Sequence, residues 1–318
     1  MGSVLHTHLT HYEAEGFVVV KSLLDVVEDI QPVMDEYAQV LDRLAHHLYD
    51  NGQITRLYTE LPFGERLTQV YAESGVVHSQ YFDFSLPQNG IDAKTPFWAG
   101  PAVFHLIRHP KLLDAAACFV GDEIYSNPVQ HIRIKPPEHA LPQTGDNRVI
   151  QTPWHQDNGV ILPEADQGHI LTVWFPLTDA TLEQGCLRVL PGSHKTGLQH
   201  HCYRSNGLAI AHLDEAGALP LPMKAGDVLF MHQLTSHSSL PNVSDQVRIS
   251  FDLRYQPIGE PTGRPVFPGF VARSKTHPES ELHDPVVWEK MWREARDHLA
   301  KVDNPTFNRW DVSDPVCA

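Results

Sequence analysis

Residues 225–255 read AGDVLFMHQLTSHSSLPNVSDQVRISFDLRY, and they decide the fold class. Two β-prone runs, 227–232 and 247–255, flank a segment punctuated by Ser, Pro, Asn and Asp. Such residues bond to their own backbone or fix φ, so they end strands and make turns. Outward from this stretch, similar short runs stand at 128–135, 147–155, 169–177, 186–190 and 208–213, bounded by Gly, Pro, Asn or Asp. Many short strands at this spacing, with few helical stretches among them, predict a sandwich or barrel.

Helical texture lies on either side. Residues 9–25 read as a short helix, a strand at Phe17–Val20 and a turn. Apolar positions from Val26 and Val27 through Ile30, Val33, Tyr37, Val40, Leu44 and Leu48 predict an amphipathic helix over 26–49, with Pro32 marking a break or a first turn. Residues 102–122 and 286–302 also carry helical periodicity. The expectation is a mainly β chain with flanking helices, one domain over 1–318: a helical part to about 122, a β core over 124–256 and an extension over 257–318. Loops at 136–153 and 256–270 are long enough to cover a site, a domain linker being the competing reading.

With 24 basic and 39 acidic residues the net charge is −15, which argues against a nucleic-acid partner. Four scattered cysteines, Cys118, Cys186, Cys202 and Cys317, form no CxxC pair, so neither a disulfide nor a thiolate zinc site is expected and a reducing cytoplasm fits. Apolar runs such as Ala115–Val120 are too short to cross a membrane. No secretory leader and no peroxisomal address is visible, and the chain carries no sign of its oligomeric state.

Chemistry concentrates in PWHQDN at 153–158. On an extended strand residues i and i+2 share a face, so His155 and Asp157 project together as two legs of a metal chelate. His237, in LTSHSSLPN, is the candidate third leg; His232, on the apolar run VLFMH, is the weaker one. Two histidines and one carboxylate leave metal positions open, as in non-haem Fe(II) oxygenases, although ligand softness alone leaves manganese, cobalt and nickel open too. Arg248 follows His237 after a short turn, which places the two on adjacent strands; its planar guanidinium suits a dicarboxylate co-substrate. Considered alone, each of these residues has an ordinary explanation on a surface or in an ion pair. His194 in PGSH reads as structural, Gly185 and Gly192 as turns, and His46–His47 and His200–His201 as solvated.

Taken in order, EAEGFVVVKSLL (13–24), PWHQDN (153–158), TVWFPLTDATLEQGCLRVLPGSH (172–194) and AGDVLFMHQLTSHSSLPNVSDQVRISFDLRY (225–255) resemble the phytanoyl-CoA dioxygenase family over most of the chain. The resemblance implies a double-stranded β-helix (a jelly-roll, cupin-like core) that uses Fe(II), 2-oxoglutarate and O2. It places His155, Asp157 and His237 on the family's iron ligands and Arg248 on the residue that binds the far carboxylate of 2-oxoglutarate. Trp174, Ser239 and Lys135 fall on further co-substrate positions. Asp157 stands where halogenating relatives carry a small residue, so hydroxylation is the expected outcome, with desaturation, epoxidation and ring closure as variants.

The pocket is expected from segments 56–100, 136–153, 196–222 and 256–275, with the aromatics Tyr58, Phe63, Tyr81, Phe82, Phe84 and Trp98 among its walls. An acidic chain without a visible Lys/Arg cluster favours a small metabolite or natural-product intermediate over a fatty-acyl-CoA. Two other classes stay open: a cupin-like metalloenzyme that does not use 2-oxoglutarate, and a non-catalytic binding protein.

Overall fold

Alternation along Arg248–Pro257, the longest strand, sets the architecture. Successive side chains point to opposite faces, so Ile249, Phe251, Leu253 and Tyr255 enter the main apolar core. Arg248, Ser250, Asp252 and Arg254 therefore stand on the other face. That second face is the one that carries the site.

The computed structural model describes residues 2–142, 151–311 and 313–317. Its strands are β1 (Phe17–Val20), β2 (Ile124–Ser126), β3 (His131–Lys135), β4 (Leu171–Pro176), β5 (Leu187–Val189), β6 (His201–Arg204), β7 (Gly207–Ile210), β8 (Leu219–Leu221), β9 (Val228–His232), β10 (His237–Ser239), β11 (Arg248–Pro257) and β12 (Phe270–Arg273). The major sheet runs β1-β9-β4-β11-β2-β12, with β3 paired to the first half of β11. A minor sheet runs β10-β5-β8, and β6 and β7 form a hairpin. Pairing is antiparallel throughout these sheets. The expected jelly-roll is thus present.

Helices α1 (Gly2–Glu15), α2 (Gln31–Asp50), α3 (Phe63–Ser74), α4 (Pro101–Ile107), α5 (Pro110–Val120) and α6 (Pro285–Leu299) flank the strands. Tyr37 and Leu41 of α2, Phe104 of α4 and Trp288 and Trp292 of α6 share one core with Val173, Phe175 and Phe251 of the major sheet. A second apolar layer lies between the sheets, where Trp174, Leu229 and Met231 meet Leu187 and Val189. β4 is buried along its whole length because it feeds both layers.

Several boundaries differ from the sequence reading. The helix expected at 26–49 opens as a π-helical turn, Val26–Ile30, capped by Asp25, and Pro32 then sits in the first turn of α2. The 102–122 stretch splits at Pro110 into α4 and α5. Of the strand expected at 147–155, residues 147–150 lie outside the described residues, and 151–155 form no regular strand, only a bridge from His155 to His237.

The cysteine expectation is overturned. Cys202 on β6 is disulfide-bonded to Cys317, 115 residues away, with 5.4 Å between their Cα atoms. No local spacing could reveal that pair, because it forms only when the carboxyl-terminal segment returns to the β6–β7 hairpin. Cys118 and Cys186 are free. No helix among the described residues is long and apolar enough to cross a membrane.

Candidate metal centre

His155 and His237 are joined before any metal is considered. Their backbones form a two-way bridge, His155 N to His237 O at 3.0 Å and His237 N to His155 O at 2.9 Å. Gln156 is extended (φ −114°, ψ 145°), and Asp157 opens the 3-10 turn Asp157–Val160. The i, i+2 projection therefore holds through one extended residue and not through a strand. His237 starts β10 in the minor sheet while Arg248 starts β11 in the major sheet, so the two are not on neighbouring strands as expected. The turn between them carries the chain from one sheet to the other, and the site lies between.

The three side chains converge. Their ligand atoms lie within 4.8 Å of one another, all in buried residues. His155 Nε2 is 3.9 Å and His237 Nε2 is 4.0 Å from Asp157 Oδ1. With metal–ligand bonds of about 2.1 Å, one ion can bridge either pair. Each ring is set for that purpose by its other nitrogen: His155 Nδ1 donates to Pro153 O at 2.9 Å and His237 Nδ1 to Thr235 O at 3.0 Å. Those bonds leave both Nε2 atoms as the free acceptors facing Asp157.

Electrostatics agree with this donor set. Burial, reinforced by His237, holds His155 well below the usual imidazole range, so it is a neutral ligand. Burial pushes the Asp157 carboxyl up, but Arg254 foremost, with both histidines, outweighs it and keeps the group ionised. Arg254 Nη2 donates to Asp157 Oδ1 and Thr172 Oγ1 donates to Asp157 Oδ2. Two imidazole nitrogens and one carboxylate, each held in a fixed orientation, fit an iron(II) site.

Arg248 lies beside it. The residue is 2% exposed, yet no carboxylate pairs with it among the described residues. It donates to Ser250 Oγ at 2.5 Å and Gly185 O at 3.4 Å, and its Nε has no partner among the described residues. Burial pushes its pKa down to about 10. Such a desolvated, unpaired guanidinium is costly unless an anion arrives. Trp174 covers it, with 5.6 Å from the ring centroid to Cζ. Lys135, opposite Arg248 in the β3–β11 register, donates to Ser239 Oγ at 2.7 Å and Leu240 O at 2.6 Å. Ser239 Oγ also accepts from Thr152 N at 2.9 Å, which leaves its own hydroxyl proton free to donate. All four residues singled out for the co-substrate thus meet in one corner.

Sequence reading missed the frame around the triad. Arg254 and Thr172 hold Asp157, and the even spacing of Arg254 from Arg248 along one strand was the available signal. His201, expected to be solvated, is fully buried: its Nδ1 donates to Gln199 O and its Nε2 accepts from Gln156 N at 3.0 Å. Burial takes its pKa down to about 4, which keeps it a neutral acceptor. The Gln156 side chain donates to Gly197 O and Leu234 O, so the residue between the two ligands is pinned on three sides. His232 packs on His194, ring centroids 5.2 Å apart, and takes no place in the triad.

A cavity of about 680 Å³ opens onto His155, Lys135, Arg248 and Arg254. Its rim comes from residues between Ser79 and Asn89, from Thr152 and Pro153, and from the Tyr203–Leu208 hairpin. Segment 256–275 contributes nothing to it, and none of the six expected aromatics lines it. Phe82 and Phe84 are fully buried instead, packing on Tyr37 and Phe251.

The model of the phytanoyl-CoA dioxygenase family matches residues 12–250, from ahead of β1 into β11. The chain belongs to the phytanoyl-CoA dioxygenase family. Within reach of that family, 1-deoxypentalenic acid 11-beta-hydroxylase of Streptomyces arenae is 34% identical over 173 residues, 50% of this chain and 58% of that protein. The peroxisomal phytanoyl-CoA dioxygenase of Bos taurus is 27% identical over 246 residues, 74% of this chain and 64% of that protein. Each match spans less than two thirds of the relative's length. Among solved structures, the non-haem monooxygenase ThoJ aligns with a TM-score of 0.57 at 21% identity, covering 92% of this chain and 97% of that one. The epimerase SnoN, solved with Fe3+ and α-ketoglutarate, aligns with a TM-score of 0.54 at 20% identity over 83% of this chain and 89% of its own. Both show the fold of this family member.

Proposed function

We propose that this family member is an Fe(II)/2-oxoglutarate-dependent dioxygenase that hydroxylates an unactivated C–H bond of a small metabolite or natural-product intermediate. One observation carries the proposal: His155, Asp157 and His237 converge beside Arg248, a buried guanidinium with no carboxylate partner among the described residues. A cupin-like metalloenzyme without 2-oxoglutarate would have no use for such a cation. The hydroxylase of Streptomyces arenae, a relative acting on a natural-product acid by its name, favours that substrate class.

When bound, iron supplies the oxidising chemistry by which substrate C–H, O2 and 2-oxoglutarate become C–OH, succinate and CO2. The chain's own task is positional. Pro153 O and Thr235 O fix the two imidazole rings, and Arg254 and Thr172 fix the carboxylate. Arg248 clamps the far carboxylate of 2-oxoglutarate, Ser239 donates its free proton to it, and Lys135 holds that hydroxyl in place. Trp174 keeps water off the guanidinium. The cavity walls bring the substrate carbon to the metal.

We extend the proposal to one functional domain over 1–318, supported by a core cluster that draws side chains from Val18 to Phe307. A cytoplasmic location also belongs to it, with cell fractionation as its check, although the Cys202–Cys317 pair removes the cysteine argument. The test is anaerobic titration with Fe(II) and then 2-oxoglutarate, following the metal-to-ligand charge-transfer band. Wild type should develop the band; Arg248→Ala should bind iron but need at least tenfold more 2-oxoglutarate; His237→Ala should lose iron. Unchanged 2-oxoglutarate affinity in Arg248→Ala would sink the reading.

A further inference from the structure

We propose that the substrate carries a carboxylate and that Arg133, on the cavity wall, is the residue that reads it. The inference rests on the dioxygenase reading above and deepens it.

β3 turns His131, Arg133 and Lys135 toward the cavity and Ile132 and Ile134 into the core. The three cavity-side residues have different circumstances. His131 Nδ1 is paired with Asp83 Oδ2 at 2.8 Å. Lys135 is spent on Ser239 and Leu240. Arg133 is exposed to the cavity, and no hydrogen bond or ion pair engages its guanidinium among the described residues. It stands opposite Ser250 in the β3–β11 register, two residues along from the Lys135–Arg248 pair.

The buried cations beside it each have partners of their own. Arg254 is committed to Asp157 and Asp252. Arg248 would face the far carboxylate of 2-oxoglutarate, whose two negative charges offset the two positive charges of Fe(II). Asp83 is hydrogen-bonded to His131, whose burial pushes its pKa down. Arg133 is left without a hydrogen-bond or ion-pair partner among the described residues, and Arg204 across the cavity makes one side-chain bond among them, to Cys317 O at 3.2 Å. A chain of net charge −15 thus presents two guanidinium groups with no carboxylate partner among the described residues in the cavity that reaches His155. Arg133 is close enough to be felt by the buried cations: after burial, it is among the groups that depress both Lys135 and Arg248. Placing a third cation there costs energy, and an anion in the substrate repays it. The planar fork of a guanidinium matches a carboxylate in bidentate fashion, and one such fork near the metal also sets which carbon faces it. The linear sequence hid this cluster because its members are spread from 133 to 248.

The experiment uses the full chain loaded with Fe(II) and 2-oxoglutarate. Probes are ten- to fifteen-carbon carboxylic acids, each beside its methyl ester and its coenzyme A thioester. Readouts are succinate release and perturbation of the charge-transfer band. At least one free acid should stimulate succinate release while its ester and thioester do not, and Arg133→Met should raise KM for that acid tenfold or more. Arg133→Lys should recover part of the loss, and 2-oxoglutarate affinity should stay within twofold of wild type in both variants. Esters serving as well as acids, thioesters alone being active, or no acid binding at millimolar concentration would each overturn the inference. So would a tenfold loss of 2-oxoglutarate affinity in Arg133→Met, which would place Arg133 on the co-substrate. Failure of wild type to bind 2-oxoglutarate at all would instead defeat the dioxygenase reading itself.

Discussion

At the scale of single residues, the candidate metal centre depends on a side chain outside the triad. Asp157 is buried, and an ionised carboxylate in that position is tolerable only because Arg254 and Thr172 satisfy it. Removing one partner of a buried pair strands the other, typically at about 3–5 kcal/mol. Arg254→Leu therefore leaves Asp157 either protonated, and so a poor ligand, or turned away from His155 and His237. Iron affinity should fall about 10- to 100-fold, the range seen when outer-shell partners of metal ligands are lost, while the histidine bridge keeps its geometry. Titration with Fe(II), or with Co(II) as a spectroscopic stand-in, measures this directly, and wild-type affinity in the variant would show that Arg254 is only a core ion pair. The three converging side chains were legible in HxD and in HSS because their chemistry is local. Arg254 was not: its role follows from which face of β11 it occupies and from the turn that lies over that face.

At the scale of elements, strands announced themselves and their partners did not. Runs at 169–177, 186–190, 227–232 and 247–255 became β4, β5, β9 and β11 nearly as read, since β-branched and aromatic residues between turn-formers suit only a pleated surface. Sheet membership was invisible, and so Arg248 and His237 were expected on neighbouring strands when their strands belong to different sheets. Gly185 shows how much one connection matters. It has a φ of 76°, and a Cβ there would lie 2.5 Å from Leu240 O, in the segment that follows β10. Its carbonyl also accepts from Arg248 Nη2. Gly185→Ala must adopt a left-handed conformation and push that segment aside, at a cost of about 1–3 kcal/mol. The shift reaches Ser239 and Arg248 before it reaches His237. The variant should thus lose 2-oxoglutarate affinity and thermal stability together while iron binding changes little; equal loss of both ligands would contradict this order.

At the scale of the whole molecule, the last described residues return to the centre of the fold. Trp310 stacks on His201, with centroids 5.5 Å apart, and its Nε1 donates to Gly159 O at 2.5 Å, two residues after Asp157. Arg309 donates to Asn158 O at 3.0 Å and pairs with Asp166 at 2.6 Å. Tyr203 of the cavity hairpin bonds Asn308 at 2.9 Å. The Cys202–Cys317 bond closes this return, and cross-linking across 115 residues removes much of the freedom of the unfolded chain. Removing a native bridge typically costs about 2–5 kcal/mol, and in a chain of this size each kcal/mol lowers Tm by roughly 2–4 °C. Cys317→Ser should accordingly melt several degrees below oxidised wild type. Wild type treated with dithiothreitol, in which two thiols replace the S–S bond as the dithiol is oxidised, should melt with the variant. Because the segment it releases leans on the turn that holds Asp157, KM for the organic substrate should rise more than the affinity for 2-oxoglutarate falls, since the co-substrate corner is built on Arg248 at the start of β11, six residues from Arg254. Identical melting of reduced and oxidised wild type would mean that the tail is held by Trp310 and Arg309 alone, and the bridge would then have no part in shaping the cavity.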